Sequence, residues 1–364
     1  MKTSQLKKLA YASVLLSLVL SSCSNGDDEV KDPVVDETPA TVYVSGYSTE
    51  ITNVGEVVWK NGISMEVYDT DMLTPGNVRT ANIVYDIDVV NNDVYAVWKM
   101  SYKPFNSFYP TANIYLWKND VNTLILENDY NINPTAVDVH GEDIYFAGYY
   151  IDQYQYPSIW KNGTREQLPG GIGSVTDLLV NDTDVLAVGY VGISQSAAAF
   201  WKNGVITKLA EGNEYSAYGI AQYGNDIYVV GTGRVGDINS QRSALLWKNG
   251  TQQILQNPDG NVISFADKVA VVDDKVCIAG YSGMQQSESM RATVWVNDIP
   301  TVLSQSESRA LSIAIKGETV YACGYEKMGE MTVAVMWKIT GENIERVQLS
   351  SGSGNAEAHS IVVK

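Results

Sequence analysis

Val58-Trp59-Lys60-Asn61-Gly62 is the first of seven related segments in this chain. In six of them the tryptophan stands two residues before Asn-Gly or Asn-Asp. The repeated tryptophans lie 41 to 58 residues apart: Trp59, Trp117, Trp160, Trp201, Trp247, Trp295 and Trp337. A repeat period in this range is typical of propellers and solenoids. The repeat therefore outweighs the length of 364 residues, which alone would suggest two domains.

Each tryptophan segment belongs to a unit of four predicted strands. Residues 185–190 (Val-Leu-Ala-Val-Gly-Tyr) precede the fourth tryptophan and have the β-branched and aromatic content of a buried strand. A further strand comes before this motif, as at residues 313–315, and a short outer strand follows each Asn-Gly, as at residues 205–209. Asn-Gly suits a type I′ hairpin turn. Seven such units predict an all-β, seven-bladed β-propeller of four-stranded antiparallel blades.

The repeat region lacks an inner strand at its start and has an unmatched inner strand at its end. Residues 41–364 begin with a second-type strand, Val42 to Tyr47, and no inner strand precedes it. The last residues, 358–364, align with the inner strand at 310–316, and nothing follows them. We therefore expect the C-terminal strand to pair into the first blade and close the ring, which removes free sheet edges.

The N-terminus has the features of a processing signal. A basic start is followed by an apolar run, Leu9 to Leu20, that is too short to span a bilayer. Residues 20–23 (Leu-Ser-Ser-Cys) resemble a bacterial lipobox, which implies a lipoprotein signal peptide at 1–22 and a lipid such as palmitate on Cys23. Residues 23–40 are acidic and poor in apolar residues, so we predict a disordered tether. Ser24 to Glu29 resemble an acidic export tag, which implies the outer face of the outer membrane; read as a solvated spacer, they leave the periplasmic face open.

Residues 41–364 as a whole resemble bacterial β-propellers. The strand at 187–190 (Ala-Val-Gly-Tyr) and the segment at 199–204 (Ala-Phe-Trp-Lys-Asn-Gly) together are similar to HAF-type extracellular repeats. The resemblance implies the propeller fold and is nearly silent on activity.

Composition excludes several kinds of chemistry. The formal charge of −17 repels phosphate backbones, so we expect no nucleic-acid partner. His140 and His359 are the two histidines of the chain, which makes a histidine-rich metal site or a repeated His-based triad unexpected. We predict no catalytic residue, no metal ligand and no cofactor. Cys277 and Cys323 fall on equivalent strands with their side chains on the same face of each blade, which predicts two buried thiols rather than a disulfide.

Candidate ligand-binding residues come from positions that differ between blades. The repeated tryptophans are assigned to the core, because a residue needed in every blade fills the contact between blades. Two loops are rich in aromatic residues, and several inner strands open with polar or aromatic side chains near the channel. The blade 2 loop contributes Tyr102, Phe105, Phe108 and Tyr109; the blade 3 loop contributes Tyr149, Tyr150, Tyr154 and Tyr156; the strand openings contribute Tyr85, Tyr218, Asp267 and His359. Packing of the two loops on each other as a rigid lid is the alternative interpretation.

These observations predict a non-enzymatic, lipid-anchored and surface-exposed propeller. Its partners would be the membrane, through the lipid, and a glycan or an envelope protein, bound through the aromatic loop face. The alternative is a polysaccharide lyase or glycosidase with carboxylates or tyrosines at the channel mouth. A structural spacer without a small ligand is a third possibility. A shallow aromatic platform would favour binding, whereas titratable side chains converging in one deep pocket would favour an enzyme.

Overall fold

The computed structural model describes residues 39–50, 55–67, 78–81, 84–105, 107–237, 239–258, 261–284 and 290–364. These ranges form 29 β-strands and contain no helix, so the predicted all-β class is confirmed. None of the described segments is a helix long and apolar enough to cross a membrane. The predicted signal peptide, Cys23 and all but the last two residues of the tether lie outside the described residues.

The strands form seven sheets, one for each blade. Blade 1 contains β1 (Val42–Ser48), β2 (Gly55–Lys60) and β3 (Ile63–Glu66); blade 2 contains β4 (Val78–Ala81), β5 (Val84–Val90), β6 (Asp93–Lys103), β7 (Thr111–Lys118) and β8 (Val121–Leu126); blade 3 contains β9 (Ile132–His140), β10 (Asp143–Asp152), β11 (Tyr154–Lys161) and β12 (Thr164–Gln167); blade 4 contains β13 (Gly173–Val180), β14 (Val185–Val191), β15 (Ala197–Lys202) and β16 (Val205–Ala210). Blade 5 contains β17 (Ser216–Tyr223), β18 (Asp226–Arg234), β19 (Arg242–Lys248) and β20 (Thr251–Ile254); blade 6 contains β21 (Ile263–Val272), β22 (Lys275–Gly283), β23 (Arg291–Val296) and β24 (Ile299–Val302); blade 7 contains β25 (Ser308–Lys316), β26 (Thr319–Met328), β27 (Met331–Thr340) and β28 (Asn343–Gln348); the last strand is β29 (Ala356–Val363).

Strand β29 closes the ring, as predicted. It pairs antiparallel with β1, from Val42 opposite Val363 to Ser48 opposite Ala356. Beyond the ladder, the backbone N–H of Thr41 donates to the carbonyl of Lys364 at 2.8 Å. The inner strands contact one another in succession, and β29 contacts both β25 and β5. The first blade is therefore built from both ends of the propeller, which makes its integrity depend on the C-terminus.

The tryptophans fill the contacts between blades. All eight, the seven repeated ones and Trp98, are at most 1% exposed, which confirms their assignment to the core. Trp201 of blade 4, for example, packs in one cluster with Tyr145 and Ile159 of blade 3. Each buried aromatic side chain removes about 150–250 Å² from water. The repeat of tryptophan thus reflects the repeat of the blade interface.

Contacts within the Trp-Lys-Asn-Gly hairpin explain why this motif recurs from blade to blade. In blade 3, Asn162 and Gly163 have φ values of 49° and 80°, as a type I′ turn requires. The Asn162 side chain accepts the backbone N–H of Ile144 at 2.9 Å and donates to Asp143 at 2.8 Å. Lys161 pairs with the same aspartate at 2.7 Å. The motif therefore serves the fold.

A β-bulge interrupts the inner strand of every blade at the same level. In blade 4, Val175 pairs with Gly189 and Asp177 with Val188, which leaves Thr176 without a partner across the strands. The bulge brings the carbonyl oxygen of Ser174 to 2.0 Å from where a Cβ of Gly189 would lie, so only glycine fits there. Blade 2 has Trp98 at this place, and its inner strand is split into β4 and β5.

Candidate functional site

The bulges present four of the predicted residues at one level of the channel. The residues left without a cross-strand partner include Tyr218 of blade 5, Asp267 of blade 6 and His359 of blade 1. Tyr85 occupies the wider bulge of blade 2 together with Asp86. Bulges re-aim side chains and are over-represented next to functional sites. The structure therefore brings together the four strand-opening residues.

Seven tyrosines, one from each blade, surround this level of the channel. Two come from bulges, and five follow the glycine of a second strand. The members are Tyr47, Tyr85, Tyr149, Tyr190, Tyr218, Tyr281 and Tyr325, and we call them the tyrosine ring. The sequence analysis included three of the seven and missed Tyr47, Tyr190, Tyr281 and Tyr325. The Gly-Tyr pair, repeated in five blades, was the signal for the missing members.

The tyrosines act on one another around the circle. Burial raises the pKa of every member. A neighbouring tyrosine raises the pKa further at five of them: Tyr149 acts on Tyr85, Tyr190 acts on Tyr149 and Tyr218, Tyr218 acts on Tyr281, and Tyr325 acts on Tyr47. Such effects act only between nearby groups, so neighbouring members of the ring lie close to one another.

His359 lies between Tyr85 of blade 2 and Tyr47 of blade 1. Its ring stacks on Tyr85 with centroids 5.6 Å apart and lies 5.8 Å from the ring of Tyr47. Its Nδ1 lies 3.2 Å from the carbonyl oxygen of Val84, so this nitrogen carries the proton and donates. Because His359 belongs to β29, the strand that closes the propeller also places a histidine between two members of the tyrosine ring.

Three charged side chains lie among the tyrosines. The guanidinium carbon of Arg309 stands 4.4 Å from the ring centroid of Tyr281, a cation–π contact. Tyr47 donates its hydroxyl to Glu357 at 3.3 Å; burial and this carboxylate together raise the pKa of Tyr47 to about 12. Burial raises the pKa of Asp267 to about 7, although Arg309 opposes the shift. The mouth of the channel thus combines aromatic faces, hydroxyls and titratable charges.

Below the tyrosine ring, an ion pair connects the inner strands of two blades that are separated by a third. Lys268 of blade 6 donates to Asp177 of blade 4 at 2.7 Å. The blade between them contributes Gly219, where a Cβ would come within 2.9 Å of the Lys268 backbone. Asp177 also accepts the backbone N–H of Ile220 at 2.8 Å, so it links three blades. Sequence reasoning missed this pair, because residues 91 positions apart in different repeats show no common pattern.

The blade 2 loop has both buried and exposed aromatic side chains. Tyr102 is 9% exposed and donates its hydroxyl to Asn128 at 3.1 Å, so it belongs to the core rather than to a ligand surface. Phe105, Phe108 and Tyr109 are 79%, 92% and 80% exposed. This loop therefore provides three of the four side chains predicted for a binding surface.

The blade 3 loop is likewise divided. The ring of Tyr150 is covered by Arg165, whose guanidinium carbon lies 3.9 Å from its centroid. Tyr149 belongs to the tyrosine ring, Tyr154 is 53% exposed and Tyr156 is partly buried opposite Tyr150. The eight loop aromatics therefore do not form the single platform that the sequence suggested.

The two cysteines and His140 are not members of the tyrosine ring. Cys277 and Cys323 are buried and free, as predicted, and burial raises the pKa of both thiols, to about 11 for Cys277. His140 lies away from the ring, 2.9 Å from Asp182. Across the described ranges, no three histidine, cysteine, aspartate or glutamate side chains are arranged to hold a metal ion.

Comparison with known proteins supports no family. No protein-family model matches the chain, and no curated protein sequence is significantly similar to it. Among solved structures, the chain is similar to the β-propeller domain of the Trilobed protease from Pyrococcus furiosus, with 10% identity, a TM-score of 0.46, and 77% of this chain and 98% of that chain covered. It is also similar to TolB from Acinetobacter baumannii (10% identity, TM-score 0.45, 76% and 81% covered) and to an acylaminoacyl peptidase from Pyrococcus horikoshii (12%, 0.48, 86% and 51%). The chain spans about half the length of that last peptidase. At 10% to 12% identity these likenesses say nothing about the chemistry of this chain.

The function predicted from the sequence is wrong. The solved structures similar to the chain are propellers of peptidases and of TolB, and they give no support to a glycan- or partner-binding role of the aromatic loop face or to a lyase or glycosidase. The geometry gives a physical reason, because Tyr102 and Tyr150 are occupied by contacts within the protein. The titratable side chains converge elsewhere, in the tyrosine ring.

Proposed function

We propose that this propeller binds a small, water-soluble molecule at the mouth of its channel. The observation that carries the proposal is the tyrosine ring, to which every blade contributes one side chain. A tyrosine offers an apolar face and a hydroxyl that donates or accepts a hydrogen bond. Ligand sites are concave, largely aromatic and apolar, with a few convergent polar groups.

The fold supports this location, since the scaffold fixes the ring members. Tyr149 and Tyr190 follow glycines whose backbones are locked against the bulge of the inner strand. Sites on rigid strands hold their geometry better than sites on loops. By contrast, the exposed loop aromatics Phe108 and Tyr109 have little protein around them.

A thermal-shift and calorimetric screen of the full-length protein tests the proposal. The library contains neutral, anionic and cationic metabolites, and each binder is measured again on Tyr190→Ala and Tyr149→Ala. Tyr223→Ala is the matched control, because Tyr223 is an exposed tyrosine that contacts Asp273, away from the ring. Binding should weaken at least about tenfold in the two ring variants and stay unchanged in the control. Binders that are indifferent to both ring substitutions would refute the site.

We also propose that the protein is a lipoprotein of the HAF-like, Trp-Lys-Asn-Gly repeat type. The support is the lipobox-like sequence ending in Cys23 and the blade motif around Trp201. The acidic residues after Cys23 favour the outer face of the outer membrane, with the periplasmic face as the alternative. Metabolic labelling with a palmitate analogue should mark the wild type and not Cys23→Ser. Protease treatment of intact cells should degrade the propeller if it faces outward and spare it if it faces the periplasm.

The remaining expectations stay predictions. These are the absence of catalysis and the partners named from the sequence: the membrane through the lipid, a glycan or an envelope protein, and no nucleic acid. If the screened binders are recovered chemically unchanged after long incubation with the protein, this would support the absence of catalysis. Retention on a nucleic-acid column at physiological salt would contradict the last, since a formal charge of −17 opposes it.

A further inference from the structure

Beside the tyrosine ring, Asp267 has one carboxylate oxygen without a hydrogen-bond partner among the described residues. Asp267 sits on the bulge of β21, is largely buried, and its Oδ2 has no hydrogen-bond partner within the described residues. A buried polar atom without a partner loses its hydration and gains nothing in exchange, which costs free energy. Such an atom in a native structure calls for an explanation, and a missing donor from a ligand is one.

The cations near the ring are, by contrast, engaged. Arg309 stacks on Tyr281, and Lys99 of blade 2 donates to the carbonyl of Tyr130 at 2.6 Å and to Asn133 at 3.0 Å. In blade 5, two arginines share a single glutamate: Arg234 lies 3.0 Å from Glu214, and Arg242 also pairs with it. Among the described residues, none of these cations donates a hydrogen bond to Oδ2 of Asp267.

The rest of the ring also favours a cation. Glu357 supplies a second carboxylate, which accepts one hydrogen bond from Tyr47, and the uncharged faces of the tyrosines attract cations through their quadrupoles. His359 lies between two tyrosines, with Nε2 3.6 Å from Glu357. The chain as a whole carries a formal charge of −17, which draws cations and repels anions.

We infer that the molecule bound in the tyrosine ring carries a protonated primary amine, whose N–H groups bind the carboxylate of Asp267 while tyrosine faces surround its charge. The inference rests on the proposed function and names the chemical class of its ligand. Arg309 would oppose the amine, so it limits how tightly a simple amine binds. A quaternary ammonium has no N–H to offer and would leave Asp267 without a donor.

Matched pairs of probes test the inference on the full-length protein by isothermal titration calorimetry. Tyramine carries an ammonium group where tyrosol carries a hydroxyl. Putrescine and 1,4-butanediol differ in the same way at both ends of the molecule. Each amine should bind at least about tenfold more tightly than its alcohol, because the alcohol lacks the charge. Asp267→Asn should abolish that preference and leave binding of the alcohol unchanged. Asp274→Asn, in the exposed turn that follows the same strand, is the matched control and should behave as wild type.

The outcomes separate this inference from the function on which it rests. Equal binding of amine and alcohol, or an amine preference that survives in both Asp267→Asn and Asp267→Ser, would overturn the inference. If neutral or anionic compounds bind and Tyr190→Ala weakens them, the ring is a site but the ligand class is wrong. Arg309→Met should strengthen amine binding, and weaker binding would contradict the charge argument. If no compound binds the wild type at millimolar concentration, the proposed function itself fails.

Discussion

Replacing Lys268 by methionine tests the polar network inside the channel. Lys268 Nζ lies 2.7 Å from Asp177 Oδ1, and the Asp177 side chain is 3% exposed. Burial by itself would lower the pKa of Lys268, but Asp177 and Asp86 raise it above its ordinary value. The lysine is therefore charged in the folded protein. Methionine keeps a similar length and removes the charge, which leaves the carboxylate buried without its cation.

The expected cost follows from the contacts that remain. Removing one partner of a buried ion pair typically destabilises a protein by about 3–5 kcal/mol. Asp177 would still accept the backbone N–H groups of Leu178 at 2.9 Å and Ile220 at 2.8 Å, so we expect the lower end, about 3 kcal/mol at pH 8. Burial already raises the pKa of Asp177, and loss of Lys268 raises it further. Protonation then relieves the penalty, so the cost should shrink as the pH falls.

Urea unfolding followed by tryptophan fluorescence measures this cost. Lys268→Met combined with Asp177→Asn removes both charges and should recover most of the stability lost in the single variant. Lys275→Met is the control, because that lysine lies in an exposed region of the same blade and should change stability by less than about 0.5 kcal/mol. A single Lys268→Met variant as stable as this control would refute the reasoning.

Three further predictions concern stability. Trp201→Ala should cost about 3–5 kcal/mol in urea unfolding, because it empties the contact between blades 3 and 4, and a loss below about 1 kcal/mol would contradict that role. Burial and neighbouring carboxylates raise the pKa of Asp138 to about 7, so the folded protein binds this proton more tightly than the unfolded chain and stability should fall as the pH rises from about 4 to about 7. Asp138→Asn should flatten that part of the pH profile, and an unchanged profile would exclude this carboxylate as its cause. Hydrogen bonds from the backbone N–H groups of Ser351 and Gly352 outweigh the effect of burial and lower the pKa of Glu50. Glu50→Gln should therefore cost about 1–2 kcal/mol of stability at pH 7, and its difference from wild type should vanish as the pH drops below the lowered pKa. Equal stability of the two proteins at pH 7 would show that this loop contact is dispensable.

The repeated residues of a blade have more than one role. The tryptophans are repeated because each blade must pack on the blade before it, and Trp201 shows this directly. The tyrosine of the Gly-Tyr pair is repeated in five blades, but Tyr190 is only partly buried, whereas Trp201 is fully buried. Treating repetition as a mark of structure alone is what hid four members of the ring from sequence analysis.

Burial decided which of the predicted aromatic residues are available. Phe105 and Tyr102 stand three positions apart in one aromatic-rich loop, yet Phe105 is 79% exposed and Tyr102 is 9% exposed. Tyr102 lies near the end of β6, where its hydroxyl donates to Asn128, which follows the outer strand β8. A contact between residues 26 positions apart depends on how the strands pair, so the loop composition did not reveal it.

The repeat period, the turn residues and the unmatched strands at the two ends determined the fold from the sequence alone, because those features act locally and recur in every blade. The composition likewise determined the charge of the chain. Tertiary structure alone decided which side chains meet at the channel. Tyr85, Asp267 and His359 come from three different blades, and a bulge in each inner strand sets their direction. Closing the ring places the last strand beside the first, and only then does His359 lie between Tyr47 and Tyr85.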